Sequence, residues 1–167
     1  MNAETLALIG APAAGKTTVG RLVAEALGLP FTDVDALIEA REGRLIREIF
    51  VEDGEPHFRE LELAASLEAL SAPGVVALGG GAPMTPAVAD ALRELPVVWL
   101  TVSVGKAARR VGLDDARPLL LGNMRGTLIR LLRERTPVYE SLASLTLDTD
   151  GAEPGELAER IVEWWQE

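Results

Sequence analysis

The stretch from Leu6 to Val19 constrains the fold of this chain more than any other. An apolar run is followed by Gly10, four further residues, and then Gly15, Lys16 and Thr17. An apolar strand that leads through a glycine-rich turn into a helix is typical of a phosphate-binding loop. Glycine permits backbone angles at which several N–H groups point at one phosphate, and the N-terminus of the helix adds partial positive charge. This stretch therefore predicts a nucleotide-binding α/β protein.

The side chains of this loop predict its chemistry. Lys16 would reach the β- and γ-phosphates of ATP, and the Thr17 hydroxyl would ligate Mg²⁺. The chain has two lysines, Lys16 and Lys106, against fourteen arginines, so chance is a poor explanation for a lysine here. We expect the nucleotide to be bound by Gly10, Ala11, Ala13, Ala14, Gly15, Lys16, Thr17 and Thr18.

Composition narrows the class of protein. A chain of 167 residues with 48% hydrophobic content is expected to form one domain with a full core. It has no cysteine, which excludes disulfides, thiolate metal sites and a cysteine nucleophile. No apolar run approaches the roughly 20 residues of a membrane span. Residues 1–5 lack the basic start of a signal peptide, so we expect a cytoplasmic protein that binds no membrane.

The distribution of charge predicts where anions bind. The net charge of −10 argues against general nucleic-acid binding, which needs a basic face. Half of the sixteen basic residues fall between positions 105 and 135, so we expect this segment to face phosphates; for any single arginine, a solvated helix face is an equal alternative. These residues are Lys106, Arg109, Arg110, Arg117, Arg125, Arg130, Arg133 and Arg135.

Strand and helix patterns alternate along the chain. Strands are predicted at 6–9, 29–33, 75–78, 97–100 and 144–148. Helices are predicted at 17–27, 35–40, 45–51, 55–70, 85–92, 103–110, at 124–135 with a stop at Thr136-Pro137, and from Pro154 onward. This alternation predicts a five-stranded parallel sheet covered by helices on both faces. The irregular stretch at about 111–124 is a candidate mobile lid.

Asp33 and Asp35 follow the short second strand. Ligands bind at the carboxyl ends of strands in open α/β sheets, and an extended backbone would point both carboxylates the same way. One would serve Mg²⁺ or its waters, and the other a substrate hydroxyl. The alternative is that one of them caps a helix that begins near Ala36. The neighbouring phosphate loop favours the first interpretation.

Three glycines, Gly79 to Gly81, directly follow a predicted strand. They would let a ligand approach the backbone closely. Because Ala82-Pro83 comes next, a flexible linker is the weaker interpretation. His57, the only histidine, lies in a helix start after a proline, and we interpret it as a surface residue.

These features together carry a resemblance that runs nearly from end to end. The motifs, in order, are the phosphate loop with Lys16-Thr17-Thr18, Asp33-Val34-Asp35, Ile49-Phe50, Gly54-Glu55, Phe58-Arg59, Gly79-Gly80-Gly81, Arg117-Pro118-Leu119-Leu120 and Arg135-Thr136-Pro137-Val138-Tyr139. With this series the chain resembles the shikimate kinase family, which belongs to the nucleoside-monophosphate-kinase-like branch of P-loop proteins. The substrate-binding region would then span about residues 33–62.

The resemblance implies an activity and a set of roles. It implies Mg²⁺-dependent transfer of the γ-phosphate of ATP to the 3-hydroxyl of shikimate, in aromatic amino-acid biosynthesis. By the same resemblance, the catalytic residues are Lys16, Asp35 and Arg117. The substrate is held by Asp35 at its hydroxyls, by Arg59 and Arg135 at its carboxylate, and by Gly79, Gly80 and Gly81. Mg²⁺ is served by Thr17 and Asp33, and the adenine lies between Arg110 and Pro154.

The chain departs from the family in two places. Ala13 stands where the family commonly has glycine, so the loop must use a negative φ there or adjust. Asp114 and Asp115 occupy the predicted lid, where more basic or polar residues are expected. The adenine contact is also assignable to Arg109 instead of Arg110.

Two other functions compete with this interpretation. Another small-molecule kinase of the same fold, acting on gluconate or a nucleoside monophosphate, would share Lys16 and Mg²⁺, but not the two arginines that suit a carboxylate. A GTPase switch would need an Asn-Lys-x-Asp motif, which is absent; Asp148-Thr149-Asp150-Gly151 comes too late to serve as a switch. A purely structural role leaves the phosphate loop unexplained.

We expect a monomer, because the sequence has no apolar stripe beyond those that the predicted core accounts for.

Overall fold

A computed structural model describes residues 4–114 and 124–167, with the backbone alone for residues 111–114 and 124. The strands are β1 (Thr5–Ile9), β2 (Phe31–Asp33), β3 (Gly74–Ala77), β4 (Val97–Thr101) and β5 (Leu145–Asp148). The helices are α1 (Lys16–Leu27), α2 (Val34–Glu42), α3 (Ile46–Asp53), α4 (Glu55–Leu70), α5 (Pro86–Arg93), α6 (Val104–Asp114), α7 (Met124–Leu142) and α8 (Pro154–Gln166), with a short 3₁₀ turn at Ala82–Met84.

The strands form one parallel sheet in the order β2-β3-β1-β4-β5. Every residue of β1 is buried, as expected for a central strand covered on both faces. One hydrophobic cluster joins the sheet to α2, α4, α5 and α7, and a second joins it to α1 and α8. The predicted five-stranded parallel sheet with helices on both faces is therefore confirmed.

The strand order places the loop after β1 at the middle of the sheet. The chain leaves β1 toward β3 on one side and later adds β4 on the other. Loops that leave neighbouring strands in opposite directions open a crevice at the carboxyl ends of those strands. The loops that follow β1, β2 and β3 meet at this crevice.

Helix α7 extends further than its sequence predicts. The predicted stop at Thr136-Pro137 is wrong, because the helix continues through Pro137 to Leu142. Proline removes one backbone hydrogen bond and crowds the preceding turn. Tyr139 and Leu142 are nevertheless buried in the core, and this packing keeps the last turns helical.

Helix α6 also extends beyond its predicted end at Arg110. Residues 111–114 continue the helix, so the prediction that the chain becomes irregular from Val111 is wrong. Gly112 lies within this helix, where one glycine costs only about 1 kcal/mol. The rest of the predicted lid, including Asp115 and Arg117, lies outside the described residues.

Within the described ranges, no helix combines the length and the apolar composition that a membrane span requires.

Candidate active site

The loop between β1 and α1 has a conformation that depends on glycine. Gly10 has φ +148° and Gly15 has φ +92°, both in the region that side chains rarely adopt. A Cβ atom on Gly10 would also lie 2.5 Å from the carbonyl oxygen of Leu100. The two glycines thus let the chain turn tightly beneath β4 and enter α1 at Lys16.

Lys16 folds back over this loop. Its Nζ atom donates to the carbonyl oxygens of Gly10 at 2.8 Å and Ala11 at 2.9 Å. One cavity brings the loop together with the carboxylates, since Lys16, Thr17, Asp33 and Asp35 all line it. A positive group at the end of a helix dipole, facing a cavity, is suited to an anionic ligand.

Ala13 adopts a backbone conformation that glycine would favour. Its φ is +68°, and among the residues that the structure describes it is the only non-glycine with a positive φ. Of the two possibilities that the sequence left open, a negative φ is therefore excluded, and the left-handed conformation costs roughly 1–2 kcal/mol for an L-residue. Nη1 of Arg110 donates to the Ala13 carbonyl at 2.6 Å.

Asp33 caps helix α2 and also contacts the phosphate loop. As the residue before α2, it accepts a hydrogen bond from Ala36 N at 3.1 Å, and its other oxygen accepts one from the Thr17 hydroxyl. The sequence analysis expected an extended backbone that points Asp33 and Asp35 the same way. This is wrong, because α2 begins at Val34 and Asp35 lies within the helix. The hydroxyl and carboxylate of Thr17 and Asp33 are hard oxygen ligands, which fit Mg²⁺.

Each glycine of the run Gly79–Gly81 faces a different charged side chain. A Cβ atom on Gly79 would lie 2.8 Å from Asp35 Oδ1. One on Gly80 would lie 3.0 Å from Arg135 Nη1, and one on Gly81 would lie 2.6 Å from Arg59 Nη1. Side chains at these positions would displace the carboxylate or one of the guanidinium groups. The structure thus brings together Asp35, Arg59 and Arg135, which come from three separate helices, around one stretch of glycine backbone.

Glu62 is a residue of this cluster that the sequence analysis missed. It is 2% exposed, and its Oε1 lies 2.8 Å from Nη1 of Arg59. Its position on α4 gave a signal, because it shares the buried face of the helix with Phe58 and Ala65. A carboxylate among apolar residues on one helix face indicates a buried charge that needs a partner.

Tyr139 is a second residue whose role the sequence did not show. Its hydroxyl donates to the carbonyl oxygen of Gly80 at 2.5 Å. Burial raises the pKa of Tyr139 above its ordinary value, although the neighbouring Arg135 acts in the opposite direction. The phenol is therefore neutral at physiological pH and fixes the middle glycine of the run. Its position four residues after Arg135, on the same helix face, was the available signal.

The structure separates the roles of Arg109 and Arg110. Nε of Arg109 turns back to the carbonyl of Gly105 at 3.4 Å, within its own helix, whereas Arg110 reaches the phosphate loop. Of the two arginines, Arg110 is the one directed toward the predicted nucleotide site.

Asp150 accepts a hydrogen bond from Ser103 N at 3.2 Å, which holds the loop before α8 against the start of α6.

This fold and site define a class of protein. A phosphate loop follows the central strand of a parallel sheet, and a cluster of two carboxylates and two guanidinium groups lies beside it. This combination is characteristic of P-loop proteins with the nucleoside-monophosphate-kinase-like fold.

Comparison with known proteins narrows the class. A model of the shikimate kinase family matches residues 12–166. The shikimate kinase of Thermobifida fusca is 55% identical over 163 residues, covering 96% of this chain and 95% of its own. That of Salinispora tropica is 49% identical over 160 residues, covering 95% and 96%. The structure of shikimate kinase from Acinetobacter baumannii in complex with shikimate superposes with a TM-score of 0.93 at 36% identity, covering 97% and 92%. The chain belongs to the shikimate kinase family, and the resemblance seen in its motifs is confirmed.

Proposed function

We propose that this protein is a shikimate kinase, which transfers the γ-phosphate of ATP to the 3-hydroxyl of shikimate and yields shikimate 3-phosphate and ADP. The observation that carries the proposal is the grouping of Asp35, Arg59 and Arg135 around Gly79–Gly81 beside the phosphate loop. The relative from Acinetobacter baumannii was solved with shikimate bound, which supports the same acceptor here. The reaction belongs to aromatic amino-acid biosynthesis.

The acceptor would be held by charge and shape. Shikimate carries a carboxylate and ring hydroxyls. The planar guanidinium groups of Arg59 and Arg135 suit the carboxylate, since each offers a fork of N–H donors. Asp35 accepts hydrogen bonds from the hydroxyls, and the glycine run lets the ring lie against the backbone. In this account residues 33–62 form the substrate-binding region.

Phosphoryl transfer needs positioning and positive charge more than covalent chemistry. Lys16 would exchange its hydrogen bonds to Gly10 and Ala11 for bonds to the β- and γ-phosphates, with the N–H groups of the loop as further donors. Asp35 would orient the attacking hydroxyl and accept its proton, a role worth roughly 10²–10⁴-fold in rate. Arg117, in the predicted lid, would add positive charge near the transferring phosphate.

Thr17 and Asp33 would hold Mg²⁺, with Asp33 acting through water. A cation held by these residues would offset the negative charge of the phosphates. Arg110 and Pro154 would enclose the adenine of ATP. We propose that the protein acts as a cytoplasmic monomer, without nucleic-acid or membrane partners, on two small water-soluble substrates.

ADP release from Mg-ATP tests the proposal, with shikimate, gluconate and AMP each offered as acceptor. We expect turnover with shikimate alone. Asp35→Asn should lower kcat by roughly 10²-fold or more. Arg135→Ala should raise the KM for shikimate by about 10²-fold, because the shikimate carboxylate would lose one of its two guanidinium partners. The matched control is Arg133→Ala on the exposed side of α7, which should leave both constants unchanged.

The outcomes separate the parts of the proposal. Turnover with gluconate or AMP but not shikimate would contradict the acceptor site and leave the phosphate loop in place. ADP release at the same rate without any acceptor would contradict the kinase function itself.

A further inference from the structure

Arg110 makes a contact that binding of adenine does not require. Its Nη1 atom donates to the carbonyl oxygen of Ala13, 97 positions earlier in the chain, at 2.6 Å. That carbonyl belongs to the residue held at φ +68°, in the left-handed region. The contact therefore joins the outer part of α6 to the one strained alanine of the phosphate loop.

The peptide between Ala13 and Ala14 is held at both ends. Its carbonyl accepts from Arg110, and its N–H donates to the Ala11 carbonyl at 3.2 Å. The same Ala11 oxygen accepts from Lys16 Nζ at 2.9 Å. A rotation of this peptide would therefore disturb the turn against which Lys16 is packed.

A change of φ at Ala13 to a negative value would move its carbonyl away from Arg110, and alanine favours that change where glycine does not. An L-alanine prefers right-handed or extended angles, whereas glycine occupies the left-handed region without penalty. With alanine at this position, the hydrogen bond that the carbonyl accepts from Arg110 opposes this change.

We infer that Arg110 is a positioning residue of the phosphate loop, which holds Ala13 in the left-handed conformation through its carbonyl and so pre-orders the loop for a polyphosphate. The inference rests on the proposed nucleotide-binding function of this loop. It is compatible with an adenine contact, because one N–H of the guanidinium bonds to Ala13 and both planar faces stay available.

Asp150 supports this arrangement from the other side. It accepts from Ser103 N at 3.2 Å at the start of α6. The hydrogen bonds from Ser103, together with the positive charges of Lys106 and Arg110, hold the pKa of Asp150 below its ordinary value. An ionised Asp150 near Arg110 helps keep α6 in place against the loop.

A double-mutant cycle tests the inference with a ligand that has no adenine. The probe is inorganic tripolyphosphate with Mg²⁺, and its affinity is measured by calorimetry for the unsubstituted chain, Arg110→Ala, Ala13→Gly and the double variant. We expect Arg110→Ala to weaken binding about fivefold when position 13 is alanine, and less than about twofold when it is glycine. Arg110 is exposed, so its variants should fold.

Arg110→Lys provides a second, independent measurement. A lysine retains a donor for the Ala13 carbonyl but lacks a planar face, so tripolyphosphate affinity should recover while ADP affinity stays weakened. Equal losses with alanine and glycine at position 13 would overturn the inference, because Arg110 would then act on the phosphates directly. An unchanged tripolyphosphate affinity in Arg110→Ala would also overturn it. No binding by the unsubstituted chain would overturn the proposed function together with the inference.

Discussion

Glu62 and Glu55 both approach the guanidinium of Arg59, but from different surroundings. Glu62 lies 2.8 Å from Nη1, with its side chain 3% exposed, whereas Glu55 lies 3.5 Å from Nε and is 58% exposed. A buried carboxylate fixes its partner firmly, because leaving either charge unpaired is costly. An exposed carboxylate is screened by water and contributes little to the orientation of its partner or to stability. Glu62 is therefore the residue that orients Arg59 toward the glycine run.

We predict that Glu62→Gln raises the KM for shikimate about tenfold and lowers the free energy of unfolding by about 1–3 kcal/mol, because the hydrogen bond from Arg59 loses the negative charge of its buried acceptor. Glu55→Gln is the matched control and should change stability by less than about 0.5 kcal/mol. Steady-state kinetics and urea unfolding measure both quantities. Equal effects of the two substitutions would contradict the role assigned to Glu62.

Ala13→Gly should stabilise the protein. Glycine removes the penalty of the left-handed conformation but adds entropy to the unfolded chain, so we expect a net gain of up to about 1 kcal/mol in the free energy of unfolding. Ala14→Gly is the control, because Ala14 is buried without a positive φ, and it should lose about 1 kcal/mol. A loss at both positions would mean that Ala13 does not occupy the left-handed region.

Tyr139 is the only tyrosine, so the absorbance of phenolate reports on it alone. Burial raises its pKa above the ordinary value of 10.0, even though Arg135 lowers it. Because the folded state holds the proton more tightly, the contribution to stability is complete below the unfolded pKa. It is lost as pH rises through the folded pKa.

The folded protein should therefore titrate above about pH 10 and the urea-unfolded chain near pH 10. Tyr139→Phe should abolish the signal. It should also cost about 1 kcal/mol near neutral pH, through the lost bond to Gly80. A folded midpoint at or below the unfolded one would refute the buried, hydrogen-bonded phenol.

At the scale of elements, α7 shows how a proline is placed inside a helix that carries two site residues. Pro137 lies between Arg135, whose guanidinium lies near Gly80, and Tyr139, whose hydroxyl binds the same glycine. Proline removes a backbone hydrogen bond and bends a helix at that point. We expect such a bend in α7, where it would set the direction of the turn that holds Arg135 relative to the turn that holds Tyr139.

Pro137→Ala should restore the missing backbone hydrogen bond, so the free energy of unfolding should stay the same or rise. The KM for shikimate should nevertheless rise by about tenfold, because small displacements of a binding group are costly. The control is Pro86→Ala at the first residue of α5, where proline fits a helix start and no site residue follows. An unchanged KM in Pro137→Ala would show that the bend does not position Arg135.

The same elements show which parts of the structure could be predicted from the sequence. Local signals predicted the five strands, the phosphate loop and the glycine run, since apolar runs and glycines encode them directly. The errors fall at helix ends. Helix α2 begins before Asp35, and α6 and α7 pass through Gly112 and Pro137. Packing with distant residues decides such boundaries. The hydroxyl of Tyr139 was missed for the same reason, because its acceptor Gly80 lies on another element. Glu62 was missed although its partner Arg59 lies three residues earlier on α4, because the burial of a charged residue depends on distant packing.

At the scale of the whole molecule, strand order explains why residues far apart in sequence share one site. β2, β3 and β1 are neighbours in the sheet, so Asp33, the glycine run and Lys16 emerge side by side. The net charge of −10 would repel a polyphosphate at long range. Binding must therefore depend on local donors, which are the N–H groups of the loop, Lys16 and Arg110.

The central claim is that the cluster beside the phosphate loop is a shikimate pocket. A crystal structure of the protein with shikimate and Mg-ADP tests it most directly. Our account predicts the carboxylate between Arg59 and Arg135, a ring hydroxyl on Asp35 and the ring against Gly79–Gly81. Shikimate bound elsewhere, or turned so that its carboxylate faces away from both arginines, would contradict the account.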